Sequence, residues 1–192
     1  MKLEQLLRCE KKLAELEITG ITNDSRKVSK GFAFVNTQGN VEYDLNASQN
    51  GASVIISSNK SNLENLILTE NTAAKFAEMS ANWYGNPAKK LKILGVTGTN
   101  GKTTVTYMLK AILEAAGKKV GLIGTIKNLC GDREIPSINT TPNAYYLHGL
   151  FSEMVKEGCE YCVMEVSSQA LDQRRVDGVH FDAAIFTNLT HF

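Results

Sequence analysis

The run Gly98-Thr99-Asn100-Gly101-Lys102-Thr103-Thr104 combines glycines, a lysine and hydroxyl side chains at a spacing suited to holding a triphosphate. Glycines let main-chain N–H groups come close to phosphate oxygens, and the N–H groups that open a helix carry partial positive charge. Lys102 supplies a point charge for the β and γ phosphates, and the Thr103 hydroxyl is a hard oxygen suited to Mg²⁺. The context is the one such a loop requires, since Ile93-Leu94-Gly95-Val96-Thr97 reads as a strand and the residues from Lys102 as a helix. The general pattern G-x-x-x-x-G-K-[ST] would put its first glycine at the position of Val96, so this loop is a variant. Its expected ligands are ATP and Mg²⁺.

Positioning such a loop takes a sheet. From Lys92 onward the pattern is α/β: strand 92–97, helix 102–116, strand 119–123, helix 143–157, strand 161–166 and strand 182–187. This predicts a parallel sheet with a phosphate loop. The first part of the chain also alternates strand and helix. Leu3, Leu6, Leu7, Leu13 and Leu16 predict an opening helix, Phe32–Val35 and Ser53–Ser57 read as strands, 66–68 as a weaker one, and Ala47–Gly51 as a short helix. A helix capped by Asn71 or Thr72 runs to Tyr84, where Gly85-Asn86-Pro87 ends it, because proline cannot continue a helix. The domain boundary is therefore expected at 88/89, giving a small α/β domain over 1–88 and a second domain over 89–192.

Composition excludes several classes. Of 192 residues, 43% are hydrophobic, and 21 basic residues against 20 acidic ones leave a formal charge of +1 with no basic tract. Nucleic acid is not an expected partner. The charged N-terminus has no apolar core of a signal peptide and no apolar run reaches membrane-spanning length, so a cytoplasmic address, no membrane partner and a monomer are expected. Four cysteines in this setting predict reduced thiols. Cys159 and Cys162 form a CxxC pair, but it runs into a strand-like stretch with no second Cys or His pair nearby, which speaks against zinc or redox chemistry.

Further segments carry a resemblance. Together with the phosphate loop, Asn139-Thr140-Thr141-Pro142, Met164-Glu165-Val166-Ser167-Ser168 and Phe186-Thr187-Asn188-Leu189-Thr190 stand in the order and spacing seen in the Mur ligases, the amide-forming enzymes of peptidoglycan precursor synthesis. Asp24-Ser25-Arg26, with Gly31 and Phe34-Val35 after it, is similar to that family's uridine-nucleotide-binding domain. The resemblance implies that ATP phosphorylates a substrate carboxylate and that an amine then attacks the acyl phosphate. It points to the branch that extends UDP-N-acetylmuramoyl-L-alanyl-D-glutamate (UDP-MurNAc-L-Ala-D-Glu) by lysine or meso-diaminopimelate. It implies Lys102 and Glu165 as catalytic residues, Thr103 and Glu165 as Mg²⁺ ligands, and Ser25, Asn139, Thr140, Thr141, Ser167, Gln173 and Arg175 as contacts to the nucleotide peptide. It also implies a histidine and a modified lysine beyond Thr190, where this chain has His191-Phe192, and an amino-acid-selecting domain after them, so that this stretch alone is the front of a ligase and is not expected to turn over. The alternative reading is a nucleotide-binding module or phosphate-loop ATPase with no ligase step.

Overall fold

The computed structural model describes residues 1–190; His191 and Phe192, at the end of the expected second domain, lie outside the described residues. The chain divides into two compact units, Met1–Trp83 and Tyr84–Phe192.

The first unit opens differently from its leucine spacing. Instead of one helix it has a 3₁₀ turn, Leu3–Gln5, and the four-residue α1, Lys11–Ala14. Leu3, Leu6, Leu7 and Leu13 are still buried and Leu16 is half-buried, but the backbone is engaged elsewhere: Leu3 N–H donates to Leu16 O at 2.9 Å and Ile18 N–H to Met1 O at 2.8 Å. A chain folded back on residues 16–18 cannot also satisfy a continuous helix. Four strands follow, β1 (Gly20–Thr22), β2 (Phe32–Val35), β3 (Val54–Ser57) and β4 (Leu66–Leu68), paired in sequence order as a parallel sheet. Helix α2 spans Val41–Gln49, starting earlier than expected because Asn40 Oδ1 accepts from Glu42 N–H at 2.9 Å and caps it there. Helix α3 spans Thr72–Trp83, with Asn71 Oδ1 accepting from Ala74 N–H at 3.1 Å. Val28, Phe34, Ala47 and Ile55 form its apolar centre. Inside the same unit Asp44 is buried, and Asn36, Ser57 and Asn59 all donate to its carboxylate.

The second unit is built on β5 (Lys92–Thr97), α4 (Lys102–Ala115), β6 (Val120–Ile123), β7 (Lys127–Cys130), β8 (Arg133–Pro136), α5 (Ala144–Lys156), β9 (Tyr161–Glu165), α6 (Ser168–Asp172) and β10 (Ala183–Phe186). Its six-stranded sheet has the order β10-β5-β9-β6-β7-β8. The first four are parallel, as expected, whereas β7 and β8 add an antiparallel hairpin that the sequence reading left out. The hairpin turns at Gly131-Asp132, with Gly131 at φ +61°. Alternate residues of β9 point to opposite faces. Cys162 and Met164 pack with Leu147, Leu150, Phe151 and Met154 of α5, while Val163 packs with Val120 and Leu122 and with Leu109 and Leu113 of α4. A strand covered on both faces is apolar throughout, which is why this stretch lacks polar alternation. Burial of each of these side chains contributes roughly 1.5–3 kcal/mol.

Candidate functional site

All four parallel strands of the second unit deliver their carboxyl ends to the same edge of the sheet. From that edge emerge the phosphate loop after β5, Gly124-Thr125 after β6, Val166-Ser167 after β9 and 187–190 after β10. Ligands of open α/β sheets collect at such an edge.

The loop is held from one side by the segment after β10. Thr99 N–H donates to Asn188 O at 2.9 Å and Asn100 N–H to Asn188 Oδ1 at 3.1 Å, while Asn100 O accepts from Thr187 Oγ1 at 2.7 Å and from Asn188 Nδ2 at 3.1 Å. This narrows the expected cradle. The Thr99 and Asn100 amides face Asn188, and the amides left to meet an anion are those from Gly101 through the first turn of α4. The first intrahelical bond is from Val105 N–H to Gly101 O, so Lys102, Thr103 and Thr104 have no acceptor within the helix. Gly98 is required by space and by backbone: its φ is +133°, and a Cβ there would fall 2.1 Å from Thr187 Oγ1. Lys102 is half-buried and its Nζ lies back over the loop, donating to Gly98 O at 2.7 Å and Thr99 O at 3.0 Å. To reach a phosphate it exchanges those carbonyls for phosphate oxygens.

Beside the loop stands Glu165, the last residue of β9, only 1% exposed. Its Oε1 accepts from Thr103 Oγ1 at 3.0 Å and from Thr125 N–H at 2.9 Å, and its Oε2 from Thr125 Oγ1 at 3.1 Å. The fold thus brings Thr103 and Glu165, 62 residues apart, into direct contact. Thr125 was missed by sequence reasoning. Its signal was positional, since Gly124-Thr125 ends a strand at the ligand edge, but that could be read only once β6 was known to lie next to β9. Gly124 must be small, because a Cβ there would come within 2.5 Å of Glu165 Oε1.

The remaining expected contacts in this unit also gather here. Thr140 Oγ1 lies 3.0 Å from Thr125 Oγ1. Thr141 is fully buried; its hydroxyl donates to Glu165 O at 2.9 Å and accepts from Ser167 N–H at 3.0 Å, so its side chain is engaged inside the fold. Ser167 Oγ accepts from Ala170 N–H at 3.2 Å and caps α6. Arg175 Nη1 donates to Thr141 O at 2.7 Å, and its Nε and Nη2 donate to Gln173 Oε1 at 3.0 and 2.6 Å, which ties this arginine to the site rather than leaving it on a free surface. Ser137 Oγ donates its one hydrogen to Gly124 O at 2.6 Å and lies 3.1 Å from Asn139 O. Ser25 belongs to the first unit, where it is buried at the start of a 3₁₀ turn and its carbonyl accepts from Asn50 Nδ2 at 3.0 Å. Cys159 and Cys162 pack in the core below α5, and burial pushes both thiols up, that of Cys162 far above its ordinary value.

Hard oxygen donors from one hydroxyl and one carboxylate, next to free helix-opening amides, fit Mg²⁺, which takes few protein ligands and fills the rest of its shell from phosphates and water. Among the described residues no cluster of three or more His, Cys, Asp or Glu side chains offers an all-protein metal cage, and no helix is long and apolar enough to cross a membrane.

Known proteins resemble this chain in sequence and in fold. The UDP-N-acetylmuramoyl-L-alanyl-D-glutamate–2,6-diaminopimelate ligase of Clostridium botulinum (strain ATCC 19397 / Type A) is 50% identical over 186 residues, covering 91% of this chain and 38% of the relative. This chain therefore spans well under half the length of that relative. The solved structure of a UDP-N-acetylmuramoyl-L-alanyl-D-glutamate–2,6-diaminopimelate ligase superposes with a TM-score of 0.80 at 24% identity, over 100% of this chain and 41% of that one. The MurF ligase of Thermotoga maritima in complex with ADP superposes with a TM-score of 0.55 at 24% identity, over 90% of this chain and 38% of that one. At those identities the superpositions speak for the fold. A model of the Mur ligase middle domain matches residues 96–191, taking in the phosphate loop, Thr125, Thr140, Glu165, Arg175 and the brace after β10, and with that match across half of its length this chain belongs to the Mur ligase family.

Proposed function

We propose that this chain is the substrate- and ATP-binding front of a ligase that joins 2,6-diaminopimelate to UDP-MurNAc-L-Ala-D-Glu through an acyl phosphate, in the cytoplasm. The observation that carries the reading is the meeting of Thr103 and Glu165 at 3.0 Å beside the open amides of α4. The amino acid is taken from the name of the 50%-identical relative, a 2,6-diaminopimelate ligase. The nucleotide is supported by the ADP-bound MurF structure of the same fold.

The amides of Gly101 to Thr104 hold the phosphates, with Gly98, Thr99 and Asn100 shaping the turn that aims them. Lys102 releases Gly98 O and Thr99 O and sets its charge against the β and γ phosphates. Thr103 and Glu165 would hold Mg²⁺, which when bound neutralises charge that builds on the phosphoryl oxygens. Arg175, fixed by Thr141 O and Gln173, offers its remaining N–H groups to an anionic oxygen of the nucleotide peptide. Ser167 has one hydrogen left to donate, and Asn139 and Thr140 border the same edge. Ser25 is assigned to the uridine-nucleotide end. The residues of the second unit together put a carboxylate next to the terminal phosphate, and positioning of this kind removes up to roughly 7–11 kcal/mol of barrier.

Titration calorimetry with ATP and Mg²⁺ tests the nucleotide half. Lys102→Ala is expected to abolish measurable binding with unchanged circular dichroism, since alanine suits a helix start; equal affinity in both proteins would overturn the assignment. For the peptide half, a longer protein carrying the rest of the ligase is expected to melt at higher temperature with UDP-MurNAc-L-Ala-D-Glu than with UDP, and Arg175→Ala to shrink that difference.

A further inference from the structure

The carboxylate of Glu165 is oriented by a residue for which the ligand contacts above have no role. Thr125 grips it at both oxygens, with its N–H on Oε1 at 2.9 Å and its hydroxyl on Oε2 at 3.1 Å. The direction of the hydrogens then follows from counting. A threonine hydroxyl has one hydrogen, and an ionised carboxylate can only accept, so Thr125 Oγ1 gives its hydrogen to Glu165. In the 3.0 Å contact between Thr125 and Thr140 the donor must therefore be Thr140. The result is a directed chain from the Thr140 hydroxyl through the Thr125 hydroxyl to Glu165 Oε2. The turn carrying Thr125 is itself held: Gly124 N–H donates to buried Asn128 at 3.3 Å and Gly124 O accepts from Ser137 at 2.6 Å.

We propose that Thr125 is the positioning residue of the metal site, fixing the Glu165 carboxylate toward the cation and linking it, through Thr140, to the 139–142 segment that borders the nucleotide peptide. This rests on the function proposed above. A cation held by Glu165 and Thr103 would take a lone pair of the Thr103 hydroxyl and leave its one hydrogen free to stay on Oε1. The two bonds from Thr125, one on each oxygen, come from a residue outside that pair and keep the carboxylate from swinging. Thr140, whose hydrogen is committed to Thr125, meets the nucleotide peptide through its main chain or as an acceptor; a ligand that draws that hydrogen away loosens the chain and weakens the grip on Glu165. Groups that support a metal ligand in this way are typically worth about 10- to 100-fold in metal affinity.

The test is ATP affinity of the 192-residue chain, measured by calorimetry with Mg²⁺ and again in EDTA, for wild type, Thr125→Val, Thr125→Ser and Thr140→Val. Thr125→Val keeps the shape and the N–H but removes the hydroxyl. It is expected to lose about tenfold of the Mg²⁺-dependent gain in ATP affinity while leaving affinity in EDTA unchanged, because the loop amides and Lys102 are untouched. Thr125→Ser is expected to restore the gain, and Thr140→Val to show a smaller loss in the same direction. A merely structural role would instead lower both affinities together. Should Thr125→Val fail to fold, Thr125→Ala removes the same hydroxyl without a second methyl group. A full Mg²⁺-dependent gain in the hydroxyl-free variant overturns the inference and leaves the proposed function standing. A wild-type chain that binds ATP with no help from Mg²⁺ overturns both.

Discussion

Glu165 and His148 are both buried in the second unit to within 1% of exposure, and their surroundings treat them in opposite ways. Three donors meet the Glu165 carboxylate at the ligand edge. His148, on α5, stands edge-on to Phe151 with ring centroids 5.6 Å apart, and neither ring nitrogen has a hydrogen-bond partner among the described residues. Burial alone lowers its pKa from 6.5 to about 4. Below pH 6.5 the unfolded chain takes up a proton that the folded chain refuses, so this residue's contribution to stability is present above that pH and is lost as pH falls toward 4. The loss amounts to about 3 kcal/mol. Urea titrations at pH 7.5 and pH 4.5 should show it, and His148→Leu should flatten the dependence while raising stability at neutral pH by about 1 kcal/mol, since two orphaned polar atoms are removed. A variant whose pH dependence matches wild type would mean that other groups control the acid limb. Nothing in the sequence marks this histidine, because its lack of partners depends on what packs around α5. Lys102 was legible for the opposite reason: the role proposed for it follows from neighbours one to four positions away.

At the scale of elements, the segment after β10 acts as a brace. Asn188 alone makes two side-chain bonds to the main chain of Asn100 and accepts Thr99 N–H through its carbonyl. Asn188→Ala keeps the carbonyl and deletes both side-chain bonds, so the loop should lose about 1 kcal/mol of local stability. Amide exchange at Asn100 should speed up correspondingly, with no change in the core strands. Unchanged exchange at Asn100 would show that Thr187 and the Asn188 carbonyl hold the loop by themselves. The long elements β5, α4, α5 and β9 were legible because apolar runs and helical periodicity recur over enough residues to outweigh local exceptions. The β7–β8 hairpin was not, since its four-residue strands include charged positions such as Arg133 and Glu134 that lie exposed at the sheet edge. Nor was the folded-back opening, where tertiary pairing overrides the leucine spacing.

For the whole molecule, the two units each have their own sheet and their own apolar centre. Residues 1–83 are expected to fold when expressed alone, with modest stability as befits their size, and a dispersed amide NMR spectrum would check it. A collapsed spectrum would mean that this unit depends on the rest of the chain. By itself the sequence determined the phosphate loop, the α/β class and the membership of Glu165 and Thr140 in recurring motifs, because each rests on residue types within a short local window; Arg175 came only with the family resemblance. It could not determine that Thr99 and Asn100 turn their amides to Asn188, that Thr141 faces inward, or that Thr125 grips Glu165. Those contacts join residues 24 to 89 positions apart, and that of Thr125 hangs on the β6–β9 pairing. Which strand lies beside which is a property of the closed sheet, and hydrogen-bond partners at its edge are assigned only when that order exists.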